Sequence, residues 1–333
     1  MTEDAYARAG VSQGDADAAI ASLVSALAAA APPESRQVLA SGHYANVVRI
    51  DDRTGIALST DGVGTKLVLA EQLGRWDTVG IDCVAMNVND VVCVGAEPLA
   101  MVDYLAVDRA DAEIAGAIGT GLARGAELAG IEIVGGELAQ LGQIINGLDL
   151  AGACFGLVAL DSLVTGASIE PGDPVIGLPS SGLHSNGYTL ARSALAEIPL
   201  DDERLGRPLG DILLEPTEIY VRPIVELLRS EVGVRGLAHI TSGGLRNLLR
   251  LEADVGYEID DPLPAPPIFT LIQELAGITG EEMHEVFNMG CGFCVIVVAD
   301  DEAAALERLR VPYPDAKRIG RAVAGGPQVT RPG

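Results

Sequence analysis

Apolar segments typical of β-strands alternate with helical segments along the chain, and this alternation constrains the fold more than any other feature. Strand-like segments at residues 56–60 and 99–107 flank a helical segment at 76–94, and a further helix is predicted at 111–129. A strand-like segment at 174–178 begins a second mixture of the same kind. The pattern predicts an α/β protein in which helices cover mixed sheets.

A turn signal near the middle of the chain separates the two mixtures. A chain of 333 residues is long enough for two domains, and Pro171, Gly172 and Asp173 mark a turn. We set the boundary near residue 163, which predicts an N-terminal domain at 1–163 and a C-terminal domain at 164–333. Within the second domain, Pro216 predicts the start of a helix that runs to about residue 230.

The net charge of the chain is −25, and its 22 basic residues include two lysines, Lys66 and Lys317. This charge disfavours binding to nucleic acid or to an anionic membrane. One explanation is an acidic patch for a basic partner. The other is adaptation to a salt-rich cytosol, where counterions screen a dense carboxylate surface. Because the acidic residues are spread along the whole chain, we favour salt adaptation.

Other features of the composition indicate a cytoplasmic protein. The five cysteines are odd in number and scattered, which fits a reducing compartment better than a disulfide framework. No apolar run reaches the roughly 18 residues that a membrane-spanning helix needs. The acidic N-terminus is unlike a secretory signal. Cys291 and Cys294 have C-x-x-C spacing, but they enter a predicted strand, so we predict no redox or metal role for them.

Residues 61–66, Asp-Gly-Val-Gly-Thr-Lys, follow the strand-like segment 56–60 and could hold a metal–phosphate group. They combine the carboxylate of Asp61, the hydroxyl of Thr65 and the ammonium group of Lys66 with the exposed amides of two glycines. The spacing is not that of a Walker A motif. A tight turn with a solvated lysine is the alternative interpretation.

Two more polar segments supply carboxylates near the ends of predicted elements. Asn87 and Asp90 are three residues apart in the helical segment and share a face among apolar neighbours. Such a pair needs a ligand or internal partners, so a helix cap or a buried hydrogen bond is the alternative. Glu137 follows two glycines directly after a strand-like segment at 131–134. The hard oxygen ligands that Mg²⁺ prefers are thus offered by Asp61, Asp90 and Glu137.

In the second half, two segments run from a strand into a helix through small polar residues. Residues 180–187 read Ser-Ser-Gly-Leu-His-Ser-Asn-Gly, and residues 239–244 read His-Ile-Thr-Ser-Gly-Gly. Backbone amides at a helix N-terminus bind anions, and His184 could transfer a proton or contact phosphate. A helix cap with a solvated histidine is the alternative. Several such turns at strand ends predict a shared cleft lined for phosphate.

In their order along almost the whole chain, these motifs resemble the aminoimidazole ribonucleotide (AIR) synthetase, or phosphoribosylformylglycinamidine cyclo-ligase, family. The matching segments are residues 6–11, 61–66, 80–90, 95–99, 135–137, 180–188, 216–221, 239–244 and 287–290. The resemblance implies an ATP-driven ring closure of formylglycinamidine ribonucleotide to AIR in purine biosynthesis, with ATP and Mg²⁺ as cofactors. It also implies a homodimer whose N-terminal domains form a barrel-like sheet, with the ATP cleft between the two domains.

The resemblance implies roles for three groups of residues. The nucleotide-binding residues are Asp61, Gly62, Gly64, Thr65, Lys66, Asn87, Asn89, Gly135 and Gly136. The substrate-binding residues are Ser181, His184, Ser185, Asn186, His239 and Thr241. The metal ligands are Asp61, Asp90 and Glu137, and the residues with a direct part in catalysis are Lys66, Asp90 and His184.

Two segments depart from the family pattern. Many members have Gly-Gly-Phe-Gly-Gly where this chain has Ser-Gly-His-Tyr-Ala-Asn at residues 41–46, so we carry over no nucleotide contact there. Many also have a second acid where this chain has Gln140. The alternatives are another ATP-using enzyme of the same superfamily, such as a selenophosphate synthetase-like enzyme or a small-molecule kinase, and a non-catalytic nucleotide-binding subunit. Selenophosphate synthetase would carry a reactive residue in its N-terminal Gly-rich segment, whereas the first cysteine here is Cys83.

Overall fold

A five-stranded sheet organises the first half of the protein, whose computed structural model describes residues 13–30, 32 and 34–331. The strands are β1 (Asn46–Arg49), β2 (Thr54–Gly62), β3 (Glu97–Val107), β4 (Glu132–Gln140) and β5 (Leu148–Ala159). Their spatial order is β1-β2-β5-β3-β4, and β3 and β4 run parallel while the other neighbours are antiparallel. The helices of this half are α1 (Gln13–Ala29), α2 (Lys66–Leu73), α3 (Val79–Val92) and α4 (Ala112–Ala129).

The two faces of this sheet have different surroundings. The inner face lies against α3, which is buried on nearly every side and packs closely on α4. A Cβ atom at Gly80 would lie 2.2 Å from the backbone nitrogen of Leu122, so this approach requires glycine. The outer face carries exposed apolar side chains, which include Leu58, Val102, Tyr104 and Leu157.

A six-stranded sheet organises the second half of the described chain. Its strands are β6 (Pro174–Pro179), β7 (Val234–His239), β8 (Gly256–Ile259), β9 (Cys291–Val297), β10 (Lys317–Val323) and β11 (Val329–Thr330), in the order β11-β8-β10-β6-β9-β7. Its helices are α5 (Tyr188–Ala194), α6 (Leu209–Leu213), α7 (Val221–Leu228), α8 (Pro267–Ala276), α9 (Gly280–Val286) and α10 (Glu302–Leu309). Every residue of β9 is buried, as its continuous apolar sequence requires.

The α/β architecture that the alternation predicts is confirmed, and the two sheets stay open within the single chain. The helix predicted to start at Pro216 is wrong: residues 215–220 form no regular secondary structure and α7 begins at Val221. The carbonyl oxygens of Glu215 and Glu218 accept hydrogen bonds from the side chains of Lys66 and Asn89 in the first half. The predicted domain boundary near residue 163 falls in the connection between β5 and β6 and stays a prediction.

A second difference concerns β4. The sequence predicts a strand that ends at residue 134, whereas β4 continues to Gln140 because it pairs with β3 along its whole length. The two glycines and Glu137 therefore lie inside the strand and not after it. The motif at residues 6–11 lies outside the described residues. Within the described residues, no helix has both the length and the apolar character needed to cross a bilayer.

Candidate functional site

The end of β2 holds Asp61 in a fixed backbone position. The side chain of Asn87 on α3 accepts a hydrogen bond from the Asp61 N–H at 3.0 Å and donates one to the Asp61 carbonyl at 3.1 Å. The N–H of Gly62 donates to the Asp61 carboxylate at 2.7 Å. Gly64 then takes a φ of +71°, and the chain turns into α2 at Lys66. Asn87 thus supports Asp61, and its polar atoms are used within the protein.

Asp61 and Asp90 approach each other between the two halves of the molecule. Burial raises the pKa of the Asp61 carboxyl, and the nearby charge of Asp90 raises it further. Asp90 lies near the end of α3, and its Oδ1 atom is 2.9 Å from Nδ1 of His239 at the end of β7. Two close carboxylates facing a half-buried space are a good match for a cation bound to phosphate.

His184 lies in the turn between β6 and α5 and is fully buried. The N–H of Ser181 donates to its Nε2 atom at 3.2 Å, which puts the proton of the neutral ring on Nδ1. Burial lowers the pKa of His184, and the neighbouring His239 and Lys66 lower it further. This histidine is therefore a neutral group and not a solvated cation.

Three predicted substrate-binding residues have buried polar atoms with no hydrogen-bond partner. These atoms are Nδ1 of His184, Nε2 of His239 and Nδ2 of Asn186. Buried polar atoms are satisfied in nearly all native structures, so an exception often indicates a place where a ligand binds. The Oγ atom of Ser242 lies 3.0 Å from Oδ1 of Asn186, which joins the turns 180–187 and 239–244 in one region. The shared cleft predicted from the sequence is consistent with this arrangement.

Lys66 is fully buried and uses its ammonium group inside the protein. Its Nζ atom lies 2.9 Å from Oδ1 and 2.8 Å from Oδ2 of Asp82, and it donates to the carbonyl oxygens of Glu215 at 2.6 Å and His184 at 3.3 Å. Its three N–H groups thus have acceptors at three residues. The solvated lysine of the alternative interpretation is wrong, and the predicted contact with phosphate would require these bonds to exchange.

Sequence reasoning missed Asp82, which is fully buried in the first turn of α3. Its Oδ1 atom accepts hydrogen bonds from the N–H and the hydroxyl of Thr217, both at 2.7 Å. The available signal was an acid with apolar neighbours on both sides in the first turn of the helical segment, because a buried acid needs a cation inside the core. Lys66 is that cation.

Other predicted residues make contacts that connect elements of the site. The side chain of Asn89 donates to the carbonyl of Glu218 at 2.8 Å and accepts from the N–H of Tyr220 at 3.0 Å, which connects α3 to the segment 215–220. The N–H of Thr241 donates to the side chain of Asn247 at 2.8 Å. Thr65 lies beside Thr189, with their hydroxyl oxygens 3.2 Å apart. The contacts of Asn89 and Thr65 therefore connect the two halves of the chain near the predicted site.

Glu137 is not brought together with Asp61 and Asp90. A Cβ atom at Gly136 would lie 2.3 Å from Oδ1 of Asp103, so Gly136 faces the inner side of the sheet and its neighbour Glu137 faces the outer side. Within the described residues, no three acidic, histidine or cysteine side chains form a group that could hold a metal ion. The predicted three-carboxylate site does not form within one chain, because the alternation of side chains along β4 turns Glu137 away.

Comparisons with known proteins identify the family of this chain. Residues 42–158 match the family described as AIR synthase related protein, N-terminal domain, and residues 170–331 match its C-terminal domain. The phosphoribosylformylglycinamidine cyclo-ligase of Methanothermobacter thermautotrophicus is 55% identical over 278 residues, covering 82% of this chain and 81% of that protein. The cyclo-ligase of Pyrococcus furiosus is 50% identical over 273 residues, covering 82% of this chain and 80% of that protein.

Solved structures show the same fold at lower sequence identity. A HypE–HypF complex matches with a TM-score of 0.63 and 20% identity, covering 87% of this chain and 90% of that chain. The structure of AaThiL complexed with AMPPCP and TMP matches with a TM-score of 0.63 and 18% identity, covering 86% of this chain and 87% of that chain. At these identities the likeness concerns the fold alone. The matches over both halves and the high identity to the cyclo-ligases show that the chain belongs to the AIR synthase related protein family.

Proposed function

We propose that this chain catalyses the ATP-dependent ring closure of formylglycinamidine ribonucleotide to 5-aminoimidazole ribonucleotide in de novo purine biosynthesis, releasing ADP and phosphate. The observation that carries the proposal is the identity of about half of all aligned residues to archaeal cyclo-ligases, over most of both chains. The solved structures with other activities are far less similar and support only the fold.

The chemistry needs ATP because an amide oxygen is a poor leaving group. Transfer of the γ-phosphoryl group to the formyl oxygen converts that oxygen into part of a phosphate. The amidine-side nitrogen then attacks the same carbon, the carbon–oxygen bond breaks, phosphate leaves, and the nitrogen gives up a proton. Ring closure within one molecule is fast when the site holds the substrate bent. The rest of the rate enhancement must come from residues that stabilise the charge on the phosphoryl group during its transfer.

Asp61 and Asp90 would hold Mg²⁺, which when bound neutralises charge on the phosphate oxygens. The fit is supported by the raised pKa of Asp61, because the repulsion from Asp90 that contributes to it is relieved by a cation. Asn87 orients Asp61 through its backbone. The backbone amides of Gly64 and Thr65 are suited to phosphate oxygens, whereas those of Gly62 and Val63 donate to the Asp61 carboxylate and the Leu150 carbonyl. Glu137 has no part in this site within one chain.

The turns 180–187 and 239–244 would bind the substrate. His184 offers the Nδ1–H donor and Asn186 an amide N–H, whereas His239 offers Nε2, since its Nδ1 faces Asp90. Ser185 and Thr241 extend this polar wall. These groups suit the polar amidine and the oxygens of a ribonucleotide, and the neutral His184 does not repel a cationic amidine.

The enzyme would act as a homodimer in the cytoplasm. The outer face of the first sheet exposes several large apolar side chains in one patch, which include Leu58, Val102, Tyr104 and Leu157. Such a patch is typical of an interface. Tyr104→Glu should shift the protein towards monomers in light scattering, whereas Val311→Glu, at another exposed apolar position, should not. Unchanged dimers in Tyr104→Glu would contradict this assignment of the interface.

The direct test is the reaction itself. The purified protein is incubated with ATP, Mg²⁺ and formylglycinamidine ribonucleotide, and AIR, ADP and phosphate are measured. We expect the three products in equal amounts and no AIR when ATP is replaced by its non-hydrolysable analogue. Release of ADP without AIR would indicate another ATP-using reaction, and nucleotide binding without turnover would indicate a regulatory subunit. Either outcome would contradict the proposal.

A further inference from the structure

A buried ion pair joins the start of α2 to the start of α3. Lys66 and Asp82 both have side chains with no exposure, and Nζ of Lys66 lies 2.8 Å from Oδ2 of Asp82. Two charges are costly to bury unless further polar groups saturate them. The groups that do so come from the second half of the chain, so the pair acts across the boundary between the two sheets.

Four side chains form this cluster, which we call the lysine cluster: Lys66, Asp82, Ser185 and Thr217. Asp82 accepts from both the N–H and the hydroxyl of Thr217, and the Thr217 oxygen lies 3.0 Å from Oγ of Ser185. Since the hydroxyl proton of Thr217 goes to Asp82, Ser185 donates to Thr217. The cluster thus connects the first half directly to the residue that follows His184.

His184 has an uncommon backbone conformation, and the lysine cluster contributes to holding it. Its φ is +62°, and it is one of two non-glycine residues with positive φ in the described part of the chain. A bulky residue in this region is strained and persists where its surroundings over-determine it. Here Lys66 donates to the His184 carbonyl, Ser181 donates to the His184 ring, and Thr217 accepts from Ser185.

We propose that Lys66 and Asp82 are positioning residues, which hold the turn 180–187 so that His184 and Asn186 present their polar atoms to the substrate. In this role Lys66 does not bind ATP phosphate, because its three N–H groups are used by Asp82, Glu215 and His184. The proposal rests on the proposed ring closure for its kinetic consequences, but its structural consequence is measurable without the reaction.

The kinetic experiment compares Lys66→Met, the double variant Lys66→Met/Asp82→Leu, and Lys317→Met. Lys317 is the matched control, because it also forms an ion pair but its partner Asp261 is exposed. We expect Lys66→Met to lower kcat at least about thirtyfold with the KM for ATP unchanged within about threefold. The double variant should regain the melting temperature, since no buried charge is left unpaired, but it should not regain kcat.

The structural experiment measures the ring of His184 by nitrogen-15 NMR. The wild type should show a neutral ring with the proton on Nδ1. In the double variant, and in Lys66→Met if it folds, the ring should no longer be found in this one tautomer alone. Titration of an ATP analogue with a methylene β–γ bridge should give the same affinity in all variants. Because neither measurement needs turnover, a failure of the proposed function leaves the positioning role testable.

Two results would overturn the proposal. A rise of more than about tenfold in the dissociation constant of the ATP analogue, with an unchanged His184 signal, would make Lys66 a phosphate ligand. Recovery of kcat together with the melting temperature in the double variant would make the pair merely structural. If Lys66→Met fails to fold, the double variant alone decides between these outcomes.

Discussion

Two polar clusters, one around the start of α3 and one around its end, differ in how their hydrogen bonds are satisfied. The lysine cluster, at the start of the helix, connects Lys66, Asp82, Ser185 and Thr217 in bonds that stay within the protein. The second cluster, which we call the open cluster, consists of Asp61, Asp90, His184 and His239, and two of its histidine nitrogens have no partner. In the lysine cluster, Oδ2 of Asp82 also makes no hydrogen bond, but its charge is balanced by the ammonium group of Lys66 at 2.8 Å. The open cluster combines repelling carboxylates with ring nitrogens that have no partner within the protein. We therefore propose that the lysine cluster supports the site and that the open cluster binds the ligand.

The largest effect that would test this difference is on stability. Asp82→Ala leaves the buried ammonium group of Lys66 without its counter-ion, and we expect the free energy of unfolding to fall by about 3–5 kcal/mol. Asp261→Ala, which breaks the exposed pair with Lys317, should cost less than about 1 kcal/mol. Urea denaturation of the three proteins measures both changes. Equal losses in the two variants would remove the distinction between the lysine cluster and a surface ion pair.

The next effect concerns turnover at the open cluster. Asp90→Ala should lower turnover at least about a hundredfold, the scale of losing one key electrostatic contact in a transition state. The substitution relieves the repulsion on Asp61 but also removes the partner of the buried His239 ring, so the free energy of unfolding should fall by no more than about 1–3 kcal/mol. Asp52→Ala, in the exposed turn between β1 and β2, is the control for loss of one negative charge. Normal turnover in Asp90→Ala would withdraw Asp90 from the site.

A smaller effect should appear in the pH dependence of stability. Burial lowers the pKa of His184, and it lowers that of His284 to about 4. Below the ordinary histidine pKa of about 6.5, the unfolded chain therefore binds a proton at each position that the folded protein does not. The stability that the neutral histidines contribute is fully present above pH 6.5 and is lost as the pH falls, by up to about 1.4 kcal/mol per pH unit for the buried His184 and by less for the partly exposed His284.

The measurement is the free energy of unfolding at pH 5.0, 5.5, 6.0 and 6.5. His184→Asn and His284→Asn should each reduce the slope of the free energy of unfolding against pH, and the double variant should reduce it by the sum of the two effects. His184 belongs to the open cluster, so an undiminished slope in His184→Asn would show that its ring is charged in the folded protein and would contradict its role as a neutral donor.

The smallest effect separates the buried clusters from the acidic surface. With a net charge of −25, the wild type should melt at a higher temperature in molar potassium chloride than in dilute buffer, because salt screens repulsion between exposed carboxylates. The loss of stability caused by Asp82→Ala should be the same in both salt conditions within about 0.5 kcal/mol, since salt does not screen the buried pair. An unchanged melting temperature would refute salt adaptation.

Particular residues show which parts of the site were predictable. The turns 61–66, 180–187 and 239–244 could be found because small polar residues at strand ends have few structural uses. Asp82 was missed because the sequence does not show that a lysine sixteen residues earlier points at it. Glu137 lies apart from Asp61 and Asp90 within the chain because β4 continues past residue 134 in its pairing with β3, and successive strand residues point to opposite faces.

The sequence by itself determined the α/β class and the family, because periodicity and ordered motifs can be recognised without the fold. The tertiary structure decided which polar groups are saturated and which stay open. Lys66 and His184 both lie in polar turns, yet one is fully engaged and the other keeps a free ring nitrogen. That distinction depends on contacts between residues far apart in the sequence, such as Lys66 and His184, which are 118 residues apart. Only the packing of the folded chain determines which of these residues come into contact.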